Sequence, residues 1–286
     1  MKWILMALVS AVLLGLYDVS KKIALSKNSV LNVLLVATAL SALFLSPLLF
    51  IYPGDGIDHL RLMFKAVLVS ASWISGMIAL KKLPLTIVST LKASRPFLVV
   101  LFSILLFGEQ LNLWQWGGVA CALTAVVMLS RTSGSEGIDF ISNRGIWAMA
   151  VSILTGVASA LYDKHIIMQG VEPLFMQSWT NVYITAVLAL CVLFNRHFNP
   201  GDAKPFRWDW TMVTIAVLIT AADALYFFSI NEEGSLLSVI SLVRRSSVIV
   251  TFAVGAIFFK EKNIRSKALA LSVLMAGMVL LLIGSL

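Results

Sequence analysis

The sequence predicts an all-α integral membrane protein in which ten transmembrane helices form two inverted five-helix repeats around a central cavity. Three observations support this prediction: the composition, a regular succession of apolar runs, and the recurrence of motifs in the second half. Hydrophobic residues make up 59% of the 286 residues and charged residues only 13%. Soluble globular domains carry about 25% charged residues, so this composition is typical of a protein that lies in a bilayer.

The apolar runs define the predicted spans. A helix needs about 20 apolar residues to cross the hydrocarbon core. Runs of about this length lie at residues 3–25, 30–52, 62–80, 84–107, 113–130, 146–168, 174–194, 210–231, 235–259 and 264–284. Most connections are very short, such as Lys81–Leu83 and Glu232–Gly234, so consecutive helices are expected to be antiparallel neighbours.

Two motifs recur in the second half of the chain. Leu16–Asp18 matches Leu161–Asp163 at an offset of 145 residues, and Ser89–Lys92 matches Ser241–Arg244 at an offset of 152. Each half holds five spans, an odd number, so the second half is expected to insert with the opposite orientation, as in many secondary transporters. We therefore predict a first repeat over residues 1–130, a connecting loop over 131–145 and a second repeat over 146–286.

Cations near the middle of a predicted span are the main functional signal. Lys92 and Arg95 lie on one side of predicted helix 4, and each charge at that depth costs about 2.5–3.5 kcal/mol on insertion scales. Pro96 lacks an N–H and should loosen the helix beside them. Arg244 is the counterpart of Lys92 in the second repeat, and Arg245 follows it. These cations are predicted to bind an anionic substrate; a purely structural role, with the charges neutralised by aspartates, is the alternative.

Three intramembrane aspartates are the candidate counter-charges or proton-coupling groups. Asp18 is expected to pair with Lys22 on its own helix, and Asp163 has Lys164 beside it. Asp223 has no adjacent basic partner. Three carboxylates against the four cations would leave one positive charge, which favours an anion.

Aromatic and amide side chains are predicted to line the cavity and to contact the substrate. The candidates are Tyr17, Tyr162, Tyr226, Trp73 and Asn181. The alternative for the aromatic residues is packing between helices or against lipid.

The ten spans in two repeats, with Gly108-Glu109 and Lys260-Glu261 closing helices 4 and 9, resemble the EamA type of the drug/metabolite transporter superfamily over nearly the whole chain. The two glutamates are expected to cap or bridge helix ends. Leu91–Phe97 is similar to the helix 4 motif of the triose-phosphate translocator branch. Val243–Ile249 resembles the helix 9 Lys-Arg pair of that branch, with Arg244 in place of the lysine. In that branch these cations hold the phosphate of the substrate.

The resemblance implies a secondary transporter that works by alternating access, coupled to protons or by exchange, for a small anion, with phosphorylated metabolites among the candidates. The alternatives are an exporter of amino acids or amphipathic metabolites, and a membrane enzyme or lipid-handling scaffold.

No enzyme activity, cofactor or metal is predicted, because the three histidines share no ligand spacing. No nucleic-acid partner is expected, since the cations are scattered. We expect a monomer in the bacterial inner membrane.

The orientation in the membrane is left open by the sequence. Four lysines and arginines lie on the side of the termini and fourteen on the opposite side. The positive-inside rule then places the termini outside, whereas the resemblance implies cytoplasmic termini.

Overall fold

The computed structural model describes residues 2–107, 111–198, 206–232, 240 and 243–285, and these residues form helices and no strand. The helices, in chain order, are α1 Lys2–Lys27, α2 Val30–Phe44, α3 Ser46–Ile51, α4 Gly56–Lys82, α5 Leu85–Ala93, α6 Arg95–Phe107, α7 Leu113–Gly134, α8 Arg144–Met168, α9 Pro173–Phe198, α10 Trp210–Asn231, α11 Ser247–Ile257 and α12 Ile264–Ser285.

Seven helical stretches in the described part of the chain are long and apolar enough to cross a membrane, and α2 and α10 supply shorter apolar stretches. Glu109 and most of the predicted start of the ninth span lie outside the described residues. Two predicted spans are interrupted. Residues 30–52 form α2 and α3, and residues 84–107 form α5 and α6. In both cases a proline, Pro47 or Pro96, lies just after the break, where its ring and missing N–H disfavour a continuous helix.

The break between α5 and α6 is a tight turn centred on Ser94. Both the backbone N–H and the hydroxyl of Ser94 donate to the carbonyl oxygen of Leu91, at 3.0 and 2.7 Å. The N–H of Phe97 then donates to the carbonyl of Ser94 at 3.2 Å. These bonds span three residues instead of four, so the regular α-helical pattern is interrupted beside Arg95.

The same turn occurs just before α11. The N–H and hydroxyl of Ser246 donate to the carbonyl of Val243 at 3.0 and 2.6 Å, and Ile249 donates to the carbonyl of Ser246 at 2.8 Å. No proline follows this second turn, so the serine hydroxyl bond is the feature that the two turns share.

The most extensive packing contacts join α7 with α12, α4 with α8 and α1 with α10. Smaller contacts join α9 with α2 and α4, α11 with α1 and α5, and α2 with α10. Small residues bring α4 and α8 close together. The hydroxyl of Ser72 donates to the carbonyl of Ser152 at 2.8 Å, and the hydroxyl of Ser152 donates back to the carbonyl of Ser72 at 2.7 Å. Close approach at small residues is the usual way in which helices associate in lipid.

Glu261, which lies between α11 and α12, caps the start of α5. Its carboxylate accepts hydrogen bonds from the backbone N–H groups of Leu85 and Thr86, at 2.5 and 3.0 Å, and from the hydroxyl of Thr86. The first N–H groups of a helix have no intrahelical partner and carry partial positive charge, so a carboxylate stabilises the start of α5. The prediction that Glu261 caps a helix end is confirmed.

The buried pair of Lys267 on α12 and Glu136 after α7 provides a test of this packing. Lys267 is fully buried, and its Nζ lies 2.9 Å from Oε2 of Glu136. Removing one member of such a pair leaves the other charge buried and unpaired. We therefore expect Lys267→Met to lower the free energy of unfolding by about 3–5 kcal/mol, measured as a fall in the melting temperature of the purified protein.

Two controls accompany this prediction. Lys262→Met removes an exposed cation nearby and should leave the melting temperature almost unchanged. The double variant Lys267→Met/Glu136→Gln removes both charges and should recover much of the loss. A single variant as stable as Lys262→Met would contradict the account.

We expect the contribution of Asp209, the residue before α10, to the stability of the folded protein to depend on pH. Its carboxylate accepts the N–H of Thr211 at 2.9 Å and lies 2.9 Å from Nζ of Lys27. The hydrogen bond and the cation lower the pKa of Asp209 from 3.8 to about 2. Because the folded-state pKa is depressed, the stabilisation is present above pH 4 and is lost as the pH falls towards 2. The difference in melting temperature between wild type and Asp209→Ala should therefore shrink between pH 5 and pH 2.5. A difference that stays constant over this range would contradict the prediction.

Candidate functional site

A cavity of about 360 Å³ lies between α1, α4, α5, α8, α10 and the segment that leads into α11. We call it the charged cavity. Its wall contains six charged side chains, namely Asp18, Lys21, Lys92, Arg95, Arg244 and Arg245. The four cations predicted from the sequence therefore lie around one space, although they come from two distant parts of the chain.

Asp18 holds two lysines at this cavity. Nζ of Lys92 donates to both oxygens of Asp18, at 2.7 and 2.9 Å, and Nζ of Lys21 donates to Oδ1 at 3.2 Å. The predicted pairing with Lys22 is wrong. Lys22 donates to the carbonyls of Leu80 and Leu83, at 2.5 and 2.6 Å. These carbonyls lie at the C-terminal end of α4, where no further turn supplies partners and the helix dipole is negative, so they can accept hydrogen bonds from a cation.

Asp223 also has a partner, although the sequence offered none nearby. Its carboxylate pairs with the guanidinium of Arg244, which lies over the ring of Tyr226 with Cζ 4.3 Å from the ring centre. Gln177 donates weakly to Asp223 at 3.5 Å. The pair joins α10 to the segment before α11, a contact between residues 21 positions apart that local spacing does not reveal.

Asp163 is held from another helix. Nζ of Lys65 on α4 lies 3.0 Å from Oδ1 of Asp163 on α8, and Lys65 is buried. Lys65 lies within α4, which begins at Gly56. Pairing between Asp163 and its neighbour Lys164 falls on a side chain outside the described part of the structure.

Arg95 points between α4 and α8. Its Nη2 donates to the hydroxyl of Ser72 at 3.0 Å and to the carbonyl of Ser152 at 3.1 Å. Gly156 makes room for it, because a Cβ at this position would lie 2.0 Å from Nη2. Among the described residues no carboxylate forms an ion pair with Arg95. The small residues of α8, which the sequence indicated as a packing face, therefore also accommodate a cation.

Arg245 has neither a hydrogen bond nor an ion pair within the described chain, and its side chain is exposed to the charged cavity. Arg95 and Arg244 are close enough to repel it. Its charge is therefore available to a ligand.

The charges at the site do not balance. Five cations (Lys21, Lys92, Arg95, Arg244 and Arg245) face two carboxylates (Asp18 and Asp223), a surplus of three positive charges among the described residues. The surplus is larger than the single charge predicted, because Lys21 joins the site and Asp163 pairs with Lys65. The signal for Lys21 was its position three residues after Asp18, on the same face of α1.

A second cavity of about 810 Å³ adjoins the first and is bounded by α2, α4, α8, α9 and α10. We call it the apolar cavity. Tyr17, Lys21, Trp73 and Tyr226 line both spaces. The two cavities therefore meet at this group of side chains.

The predicted contact residues are placed as follows. Asn181 lines the apolar cavity and donates to the carbonyl of Gln177 at 3.0 Å. Tyr162 lines neither cavity, because its ring packs between Phe64 and His165 at centroid distances of 5.1 and 6.4 Å. Pro96 is the second residue of α6, directly after Arg95.

Gly156 provides a test of the Arg95 position. Alanine normally stabilises a helix by about 0.8–1.0 kcal/mol relative to glycine. Here Gly156→Ala should displace the guanidinium from Ser72 and Ser152 and lower the melting temperature. In an Arg95→Ala background the same substitution should raise it. Equal effects in both backgrounds would show that Arg95 does not occupy this space.

Comparison with known proteins agrees with this architecture. Residues 1–131 match the model of the EamA-like transporter family. No curated protein matches the sequence. One solved crystal structure is similar over 98% of this chain and 96% of its own, with a TM-score of 0.63 and 15% sequence identity, which is evidence for a shared fold. Residues 1–131 are therefore similar to the EamA-like transporter family, in a chain whose described residues include seven helical stretches long and apolar enough to cross a membrane.

Proposed function

We propose that this protein is a secondary transporter that carries an organic anion, such as a phosphorylated metabolite, across the membrane by alternating access. Arg95, Arg244 and Arg245 would bind the anionic group, and Lys92 would contribute a further charge from its place beside Asp18. The family match over residues 1–131 supports transport as the general activity.

Arg245 is the observation that carries the anionic substrate. A cation inside a bilayer is costly unless it is paired or faces water. Arg245 faces the charged cavity without a partner in the described chain. A ligand carboxylate or phosphate would supply the missing charge, and the planar guanidinium group can hold either through two parallel hydrogen bonds.

The other cations are placed to assist. About two fifths of the Lys92 side chain is exposed even though its Nζ bonds to Asp18. The Nε of Arg95 and the Nε of Arg244 are both buried without a hydrogen-bond partner. These N–H groups are donors that a bound anion could satisfy.

Alternating access is supported by the helix pairing. If ten spans form two repeats, α1 is the first span of one repeat and packs on α10, the third span of the other. In the same way α8, the first span of the second repeat, packs on α4, the third span of the first. The second, fourth and fifth spans each pack on their own counterpart. The matching turns at Ser94 and Ser246 lie beside the cations in both repeats. This is the arrangement expected for inverted repeats around a central site.

Uptake into proteoliposomes tests the proposal. A panel of phosphorylated metabolites, carboxylates and amino acids should contain an anion that accumulates, and Arg245→Gln should reduce its uptake at least tenfold, since a hydrogen bond to a charged group contributes about 1.5–3 kcal/mol. Lys81→Gln, which removes an exposed cation at the end of α4, is the matched control and should transport normally.

Two results would reject the proposal: uptake of amino acids but no anion, or anion uptake that Arg245→Gln leaves at the wild-type rate. Vesicles loaded with unlabelled anion distinguish the coupling modes. Exchange requires the internal anion, whereas proton coupling requires only a pH gradient.

A further inference from the structure

The two cavities differ in chemistry although they share part of their walls. The surplus cations lie around the charged cavity, and apolar side chains dominate the larger one. We propose that the substrate is an amphiphilic anion whose charged head binds in the charged cavity while an alkyl or similar apolar tail lies in the apolar cavity. This inference rests on the proposed function and specifies its substrate class.

The wall of the apolar cavity is suited to a hydrocarbon tail. It contains Val33 and Leu34 from α2, Val69 from α4, Met176 and Ile184 from α9, and Ile215 from α10. Burying apolar surface of a ligand against such side chains is favourable by roughly 25 cal/mol per Å², so a tail would add affinity that a small polar metabolite would not gain.

Several polar groups of the apolar cavity have partners within its wall. Lys65 pairs with Asp163, Gln177 donates to Asp223, and Asn181 donates to the carbonyl of Gln177. Glu172 is exposed, and the Thr220 hydroxyl is buried without a partner. Because Lys21, Lys65, Asp163 and Asp223 are all in ion pairs, this wall offers little net charge to a second charged group of a substrate.

The size of the cavities also favours a two-part ligand. Ligand pockets typically have volumes of roughly 300–1,000 Å³, and the charged cavity alone, at about 360 Å³, falls within this range. A small phosphorylated metabolite would fill the first space and leave the adjoining 810 Å³ empty. The shared residues Tyr17, Trp73 and Tyr226 mark the place where the head would join the tail.

Binding of n-alkyl phosphates to the purified protein tests this inference. Methyl, butyl, hexyl and octyl phosphate are titrated below their micelle concentrations, at fixed ionic strength, by isothermal titration calorimetry. Each added methylene should tighten binding by up to about fourfold until the cavity is filled. Alkyltrimethylammonium ions of the same lengths are the control for non-specific partitioning and should not bind.

Val69→Trp fills the apolar cavity and should abolish the gain from chain length while methyl phosphate still binds. Val67→Trp is the matched control, because Val67 lies two residues away on α4 and is 53% exposed on the outer surface; it should retain the gain. If Val69→Trp does not fold, Ile184→Phe serves the same purpose from α9.

The outcomes separate this inference from the proposed function. If methyl and octyl phosphate bind equally well, if the cationic series shows the same gain, or if Val69→Trp retains it, the tail site is refuted and the anion site stands. If no alkyl phosphate binds and proteoliposomes take up no anion, both proposals fail.

Discussion

The structure depends on one constraint: a cation inside the helix bundle must have a carboxylate, a backbone carbonyl or a water-filled space within reach. Asp18 meets this constraint for Lys92 and Lys21, and so joins α1 to α5 next to the break at Ser94. Lys22 has backbone carbonyls as partners instead, because it donates hydrogen bonds to those at the end of α4. These contacts fix α1, α4 and α5 around the charged cavity.

The same constraint separates two kinds of cation in the helix bundle. Lys92, Arg244 and Lys65 each have an internal carboxylate partner, whereas Arg95 has only polar neutral partners and Arg245 has none within the described chain. Paired charges hold helices together, and unpaired charges remain for a ligand. Which cations are paired depends on contacts between helices, so the sequence alone does not show it.

How much of the structure could be predicted from the sequence depends on whether the signal is a pattern along the chain or a contact between helices. Apolar runs and the matching motifs predicted most of the helices and the meeting of Lys92 with Arg244 and Arg245, because these signals depend on spacing along the chain. The partners of Asp18, Asp163 and Asp223 could not be predicted, since each includes a cation from another helix or segment. Tyr162 shows the same limit: its motif matches that of Tyr17, yet the two rings have different neighbours. The helix breaks at Leu45 and Ser94 can be predicted from the sequence, because Pro47 and Pro96 follow them.

The proposed anion site lies between the guanidinium groups of Arg95 and Arg245. Anomalous diffraction from crystals soaked in selenate measures this directly, because selenium scatters anomalously and selenate has the shape and charge of a sulfate-type anion. We expect a selenium peak in the charged cavity within hydrogen-bonding distance of both guanidinium groups. A cavity without a peak, in crystals where selenate binds at other surface cations, would contradict it.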